Sequence, residues 1–237
     1  MLANLEICVD TLEGVLAAKR GGANRVELCS ALSEGGLTPS AGLMQAASKA
    51  GIPCYAMIRP RSGLFHFDES AEAIMLDDIA AARAAGLAGV VLGVQGEDGR
   101  LNQEVLGRLC AAARDMGKTL HRVIDVVPDQ IEALDQAIAL GFDRVLTSGG
   151  QPEAPEGMDM IKQMVGHADG RISIMPGCGL TPENVRDLTL ATGVSEVHAA
   201  CAVPVTGDRA FSDFDPPNGR METSDFEVRR MVTALEE

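Results

Sequence analysis

The sequence has no tryptophan, one tyrosine and six phenylalanines in 237 residues. A core for a chain of this length must therefore be packed with Val, Ile, Leu, Met and Ala. No apolar run reaches the roughly 18 residues of a membrane span. The start, MLANLEICVD, has neither the basic opening nor the apolar run of a secretory signal, so a cytoplasmic location is expected. Basic residues are scarce, 20 Lys and Arg against 34 Asp and Glu, and the net charge of −14 argues against a nucleic-acid partner. The six cysteines form no Cys-x-x-Cys, so neither a zinc ribbon nor a disulfide framework is signalled. They read as reduced thiols.

What is present is a repeated unit. In RVELCSALSEGGLTPS (Arg25–Ser40), Val26 and Leu28 point one way while Glu27 and Cys29 point the other, as a strand requires. A Gly-Gly turn follows, then Thr38 as a helix cap and Pro39 in the first helical position. The tetrapeptide Gly-Leu-Thr-Pro returns at Gly179–Pro182. Gly-x-x-x-Val precedes a strand-like run four times, at Gly22/Val26, Gly86/Val90, Gly141/Val145 and Gly193/Val197. Each glycine follows an alanine-rich helical stretch, as a helix stop should. The spacing, roughly two βα units, implies eight units in all.

The strand candidates are Leu5–Asp10, Arg25–Cys29, Cys54–Pro60, Gly89–Val94, Thr119–Asp125, Arg144–Ser148, Ile172–Pro176 and Glu196–Cys201. Asp10-Thr11-Leu12-Glu13 resembles a capping box, and Asn102 and Pro128 mark further helix starts. Alternating strands and helices imply a parallel sheet, and eight of them favour a single-domain (β/α)8 TIM barrel over an open doubly wound sheet. The barrel is expected over residues 1–201. A C-terminal extension follows over 202–237, with an irregular loop (Ala202–Thr223) and a closing helix (Ser224–Leu235) packed on the barrel.

With apolar β-branched positions facing the helices, Glu6 and Cys8 turn inward from strand one and Glu27 and Cys29 from strand two. Met57, Arg59 and Arg61 follow from strand three, His121, Val123 and Asp125 from strand five, and His198 from strand eight. Buried charge is expensive unless paired, and a purely structural interior would use aliphatics. Glu6, Glu27, Arg59, His121, Asp125 and His198 are therefore the catalytic candidates. Arg61, Ser148, Gly177 and Gly179 are the ligand-binding candidates, because the glycine loop Pro176–Gly179 suits close approach by an anion. This pattern suits an enzyme acting on a small anionic or phosphorylated metabolite, with Glu27 or His121 moving a proton and Arg59 and Arg61 holding charge. Cys54 and Cys110 read as small core residues.

The stretches LEICVD, GGANRVELCSALSEGGLTPS, MIRPRSG, HR-x-x-D, RVLTSGG and EVH, in this order, resemble the CutC family, named for copper homeostasis. The resemblance covers about Leu5 to Ala200. It implies a TIM barrel and a cytoplasmic homo-oligomer, dimer or tetramer. It also implies Cu(I) as ligand, held by Cys8 and Cys29; thiolates are the soft donors that Cu(I) prefers.

Overall fold

The computed structural model describes residues 3–205 and 219–237. Eight parallel strands, β1 (Asn4–Val9), β2 (Arg25–Leu28), β3 (Cys54–Met57), β4 (Gly89–Leu92), β5 (Gly117–Leu120), β6 (Arg144–Thr147), β7 (Ser173–Pro176) and β8 (Glu196–Ala199), form one sheet. Their order is β7-β6-β5-β4-β3-β2-β1-β8. A parallel bridge between Gly177 and His198 brings the two edges together, and the sheet becomes a TIM barrel. The helices are α1 (Leu12–Gly21), α2 (Ala41–Ala47), α3 (Glu69–Ala85), α4 (Gln103–Ala113), α5 (Gln130–Ala139), α6 (Met158–Ala168), α7 (Val185–Thr192) and α8 (Asp225–Glu236).

The layering follows from period-two alternation. Ile7 and Val9, Val26 and Leu28, Ala56 and Ile58, and Val90 and Leu92 are fully buried in the aliphatic core beneath the helices. The alternate residues point to the barrel axis. There Cys29, Met57 and Val91 form a separate small apolar cluster, flanked by Leu32 and Tyr55. The repeated glycines end helices as expected. Gly22, Gly86 and Gly193 cap α1, α3 and α7 at φ of 96°, 80° and 77°, a left-handed conformation that costs glycine little.

Several boundaries differ from the sequence reading. The first helix is capped by Thr11, whose hydroxyl accepts from the Gly14 amide, and not by Asp10. Thr38 does not cap α2. Its hydroxyl accepts from the Arg59 amide and its own amide donates to the Arg59 carbonyl, so the helix starts later, capped by Ser40. Pro128 likewise precedes the cap of α5, which is Asp129. Strand five ends at Leu120; the His121 ring accepts from the Val123 amide at 3.1 Å, and residues Arg122–Val126 form a 3-10 turn. In the segment read as irregular, β9 (Ala202–Pro204) pairs antiparallel with β10 (Met221–Thr223); residues 206–218 between them lie outside the described residues.

Helix α8, capped by Ser224, lies against α1. The approach is close because Gly21 has no side chain: a Cβ there would collide with Val228. Gly21→Ala should therefore destabilise the fold by about 1–3 kcal/mol. At exposed Gly166 in α6, a Cβ would meet nothing within 4 Å, and Gly166→Ala should stabilise by up to about 1 kcal/mol. Urea denaturation of the two variants beside wild type measures both signs.

Candidate functional site

Register sets the chemistry inside the barrel. Glu6 stands opposite Arg25 on one side and His198 on the other, and Cys8 stands opposite Glu27. Glu6 is fully buried. Arg25 Nε donates to its Oε2, and His198 Nδ1 lies 2.9 Å from its Oε1. Below this level, Glu196 Oε2 accepts from Arg25 Nη2 at 2.7 Å and from Arg144 Nε at 2.8 Å. Both guanidinium groups also stack on Tyr55, at 5.2 and 5.0 Å from the ring centre. The Tyr55 ring fits because the neighbouring inward positions are Gly89 and Gly117, where any Cβ would collide with it.

Glu27 has a different environment. Its Oε2 accepts from the Cys29 thiol at 3.5 Å and lies 3.9 Å from His198 Nε2, while its Oε1 is buried with no partner among the described residues. Burial pushes the Glu27 carboxyl above its ordinary 4.5, with the His198 charge opposing. For Glu6, burial pushes the same way, but the bond to His198 and the Arg25 charge overcome it and hold the carboxyl at about 2. Burial works against the His198 charge, yet the neighbouring Cys8 sulfur and the Glu27 and Glu6 groups outweigh it and raise the imidazole well above 6.5. Two carboxyls with opposed shifts thus flank one cationic imidazole. Donor atoms of Glu6, Glu27 and His198 lie within 4.8 Å of one another. This is a cation-sized cluster, but Arg25 and His198 already occupy both Glu6 oxygens.

The other expected site residues divide. His121 is buried beside Gly93, and its ring lies 4.7 Å from that of Phe65. Burial, helped by the Arg59 charge, lowers its pKa to about 3, so the ring is neutral. Arg59 is buried and donates to the carbonyls of Glu34, Gly36 and Gly63, with Phe65 under its guanidinium. Arg61 does not join the interior; it is exposed and donates to the carbonyls of Ser62, Leu64 and His66 around its own loop. Nor does Asp125 reach the axis. It lies on the 3-10 turn, where its carboxylate receives the amides of Ser148 and Gly150, the hydroxyls of Thr147 and Ser148, and Arg122 Nε. Ser148 is engaged in the same knot.

The glycine loop after β7 is also filled. The Gly177 amide donates to the Thr147 carbonyl, and Glu153 packs against Gly179, 2.6 Å from where a Cβ would stand. The thiols part company as well. Cys29 is buried against Glu27, and burial together with that carboxylate pushes it well above the ordinary thiol value. Cys8 is half-buried, with Sγ 3.8 Å from the Ala199 carbonyl.

Sequence reasoning missed Arg25, Tyr55, Arg144, Glu196 and Phe65. The first and fourth were recoverable by extending the same alternation backwards, since Arg25 is in phase with Glu27 and Glu196 with His198. Phe65 reaches His121 from another loop and leaves no periodic signal.

Fold and site define a (β/α)8 barrel protein with its ionisable side chains gathered on the axis and at the C-terminal ends of the strands, where barrels of this type do chemistry. The sequence profile of the CutC family matches residues 3–203. The family protein CutC of Sinorhizobium medicae is 54% identical over 198 residues, covering 84% of this chain and 81% of that one. That of Agrobacterium fabrum is 48% identical over 242 residues, covering 98% and 93%. A crystal structure of CutC from Streptococcus agalactiae, assigned by name to copper homeostasis, superposes with a TM-score of 0.80 at 34% identity, over 84% of this chain and 98% of that one. The chain belongs to the CutC family.

The neutral His121 has a consequence for stability. Its imidazole protonates near 6.5 when unfolded but only near 3 when folded. The unfolded state therefore binds more protons between those values, and stability falls as pH drops through the window, by up to about 1.4 kcal/mol per pH unit. Above pH 4.5 the Glu6 contribution is still intact. Glu27, raised above 4.5, contributes with the opposite sign in the same window, so the His121 contribution is read by difference: in urea denaturation between pH 6.5 and 4.5, wild type should lose stability relative to His121→Gln, which cannot titrate, as pH falls.

Proposed function

We propose that the chain is a proton-transfer enzyme acting on a small anionic metabolite, with Glu27 as the proton carrier. The observation that carries this is Glu27 Oε1, buried at the C-terminal end of β2 without a partner among the described residues, while both oxygens of Glu6 are bonded. A carboxyl raised towards neutral pH both gives and takes protons efficiently. His198, held by Glu6, sets the charge beside it, and His121 and Arg59 face the same end of the barrel. Asp125 and Ser148 brace the loop after β6. The cytoplasmic homo-oligomer implied by the family resemblance belongs to the proposal and rests on that resemblance alone.

Selective 13C-carboxyl NMR tests the assignment: Glu27 should titrate above 4.5 and Glu6 below it. The reverse order removes Glu27 as carrier. In D2O, the wild-type protein should catalyse deuterium uptake into at least one of a panel of small oxoacids, and Glu27→Gln should slow it about 100-fold or more. Failure of the wild type with every oxoacid would end the reading.

A second reading joins the name of the Streptococcus structure, copper homeostasis, to the Cys8 and Cys29 pair that the family resemblance implies as Cu(I) ligands. In its favour, the two thiols come from adjacent strands. The donors around them fit Cu(I) poorly. Cys29 is hydrogen-bonded to a carboxylate and held as a thiol, and the donor atoms that converge belong to Glu6, Glu27 and His198, two hard oxygens and a nitrogen. After anaerobic Cu(I) loading, wild type and Cys8→Ser/Cys29→Ser should retain equal copper per chain. Tight copper lost only in the variant would reinstate the thiol site.

A further inference from the structure

Besides Glu27, two buried side chains at the C-terminal ends of the strands carry a hydrogen-bond donor that nothing among the described residues uses. His121 Nδ1 accepts from the Val123 amide at 3.1 Å. The ring proton of the neutral imidazole is therefore on Nε2, and Nε2 is buried without a partner. Arg59 gives Nη1 to the carbonyls of Glu34 and Gly36, at 2.9 and 3.1 Å, and Nη2 to that of Gly63, at 2.9 Å. Its Nε is likewise buried and unpaired. The two groups share one neighbour: Phe65 lies 4.7 Å from the His121 ring and 5.1 Å from the Arg59 guanidinium. Gly93 makes room for the imidazole, since a Cβ there would stand 2.5 Å from Cε1.

Two unused donors, one on a cation, require an anion that offers acceptor oxygens. Barrels of this type commonly hold phosphate on loop amides beyond the last strands. Here the protein's own carboxylates occupy the loops after β6 and β7. Asp125 takes the Ser148 and Gly150 amides, and Glu153 covers Gly179.

We infer that His121 and Arg59 form an oxygen-recognition subsite for the carboxylate or carbonyl oxygens of a small oxoacid, in place of a phosphoryl group. The inference rests on the reading of Glu27 as proton carrier for its chemistry. The proton on the carbon beside the carbonyl passes to the Glu27 carboxylate, the C–H electron pair becomes the C=C bond of the enolate, and the negative charge moves to the carbonyl oxygen. That oxygen then receives the His121 Nε2–H. A neutral imidazole suits this role, because it donates without having protonated the substrate beforehand.

The test uses oxalate, a planar mimic of the enolate of a 2-oxoacid, and inorganic phosphate as the competing anion. With 15N-labelled histidine, oxalate should shift the His121 Nε2–H signal, and phosphate at the same concentration should leave it unmoved. His121→Ala should weaken oxalate binding about tenfold or more. His121→Gln, which retains an N–H donor, should recover part of that loss and guards against a folding artefact. Oxalate binding is read without turnover and does not depend on a proton moving to or from Glu27. This separates the subsite from the proton carrier, because a normal Glu27 titration would sink the carrier and leave the oxalate result standing. No shift with oxalate, an equal shift with phosphate, or unchanged affinity in His121→Ala would each overturn the subsite.

Discussion

The carboxylate of Glu6 is the point on which the barrel interior turns. It is sealed from solvent, and Arg25 and His198 take its two oxygens from the strands on either side. One side chain thereby ties β1 to β2 and to β8, the strand that completes the ring. A buried carboxylate is tolerable only while such partners hold, and breaking a buried pair by removing one member typically costs about 3–5 kcal/mol. Because Arg25 also binds Glu196, and Glu196 binds Arg144, the constraint extends across the barrel floor to β6. The aliphatic shell beneath the helices supplies the bulk of the burial. The ionic chain on the axis determines how the strands are registered around it.

That chain separates groups that are satisfied from groups that are not. Both oxygens of Glu6 and of Asp125 are engaged by the protein. Glu27, His121 and Arg59 each retain one atom that is buried and unpaired among the described residues. Such atoms are costly to leave in a folded interior, and here they share the end of the barrel where function resides in this architecture. The division also explains why residue type alone ranks these side chains poorly. Asp125 and Glu27 are both inward-phased acids in the sequence, yet one is saturated by five donating groups and the other is nearly bare.

The eight-unit architecture was legible from the glycines that stop α1, α3 and α7, because a left-handed cap leaves a residue-specific mark at a regular interval. The inward phase of Glu6, Glu27 and His198 was legible for a similar reason: strand alternation is local. Errors appeared where a side chain overrides the backbone pattern. The His121 ring captures the Val123 amide and turns strand five into a 3-10 turn, which moves Asp125 off the axis. Thr38 engages the Arg59 backbone and delays α2. Phe65 could not be found by spacing at all, since its partners come from other strands and its position depends on how a loop folds back.

The lone tyrosine gives the barrel a built-in optical reporter. Tyr55 lies between two guanidinium groups inside the ring, in a chain without tryptophan. Near-ultraviolet dichroism and tyrosine emission therefore arise largely from the barrel floor, and far-ultraviolet dichroism arises from the surrounding helices. Loss of the ring and loss of the helical shell during unfolding can be followed separately in the unlabelled protein, so that the cooperativity between its two layers is directly measurable.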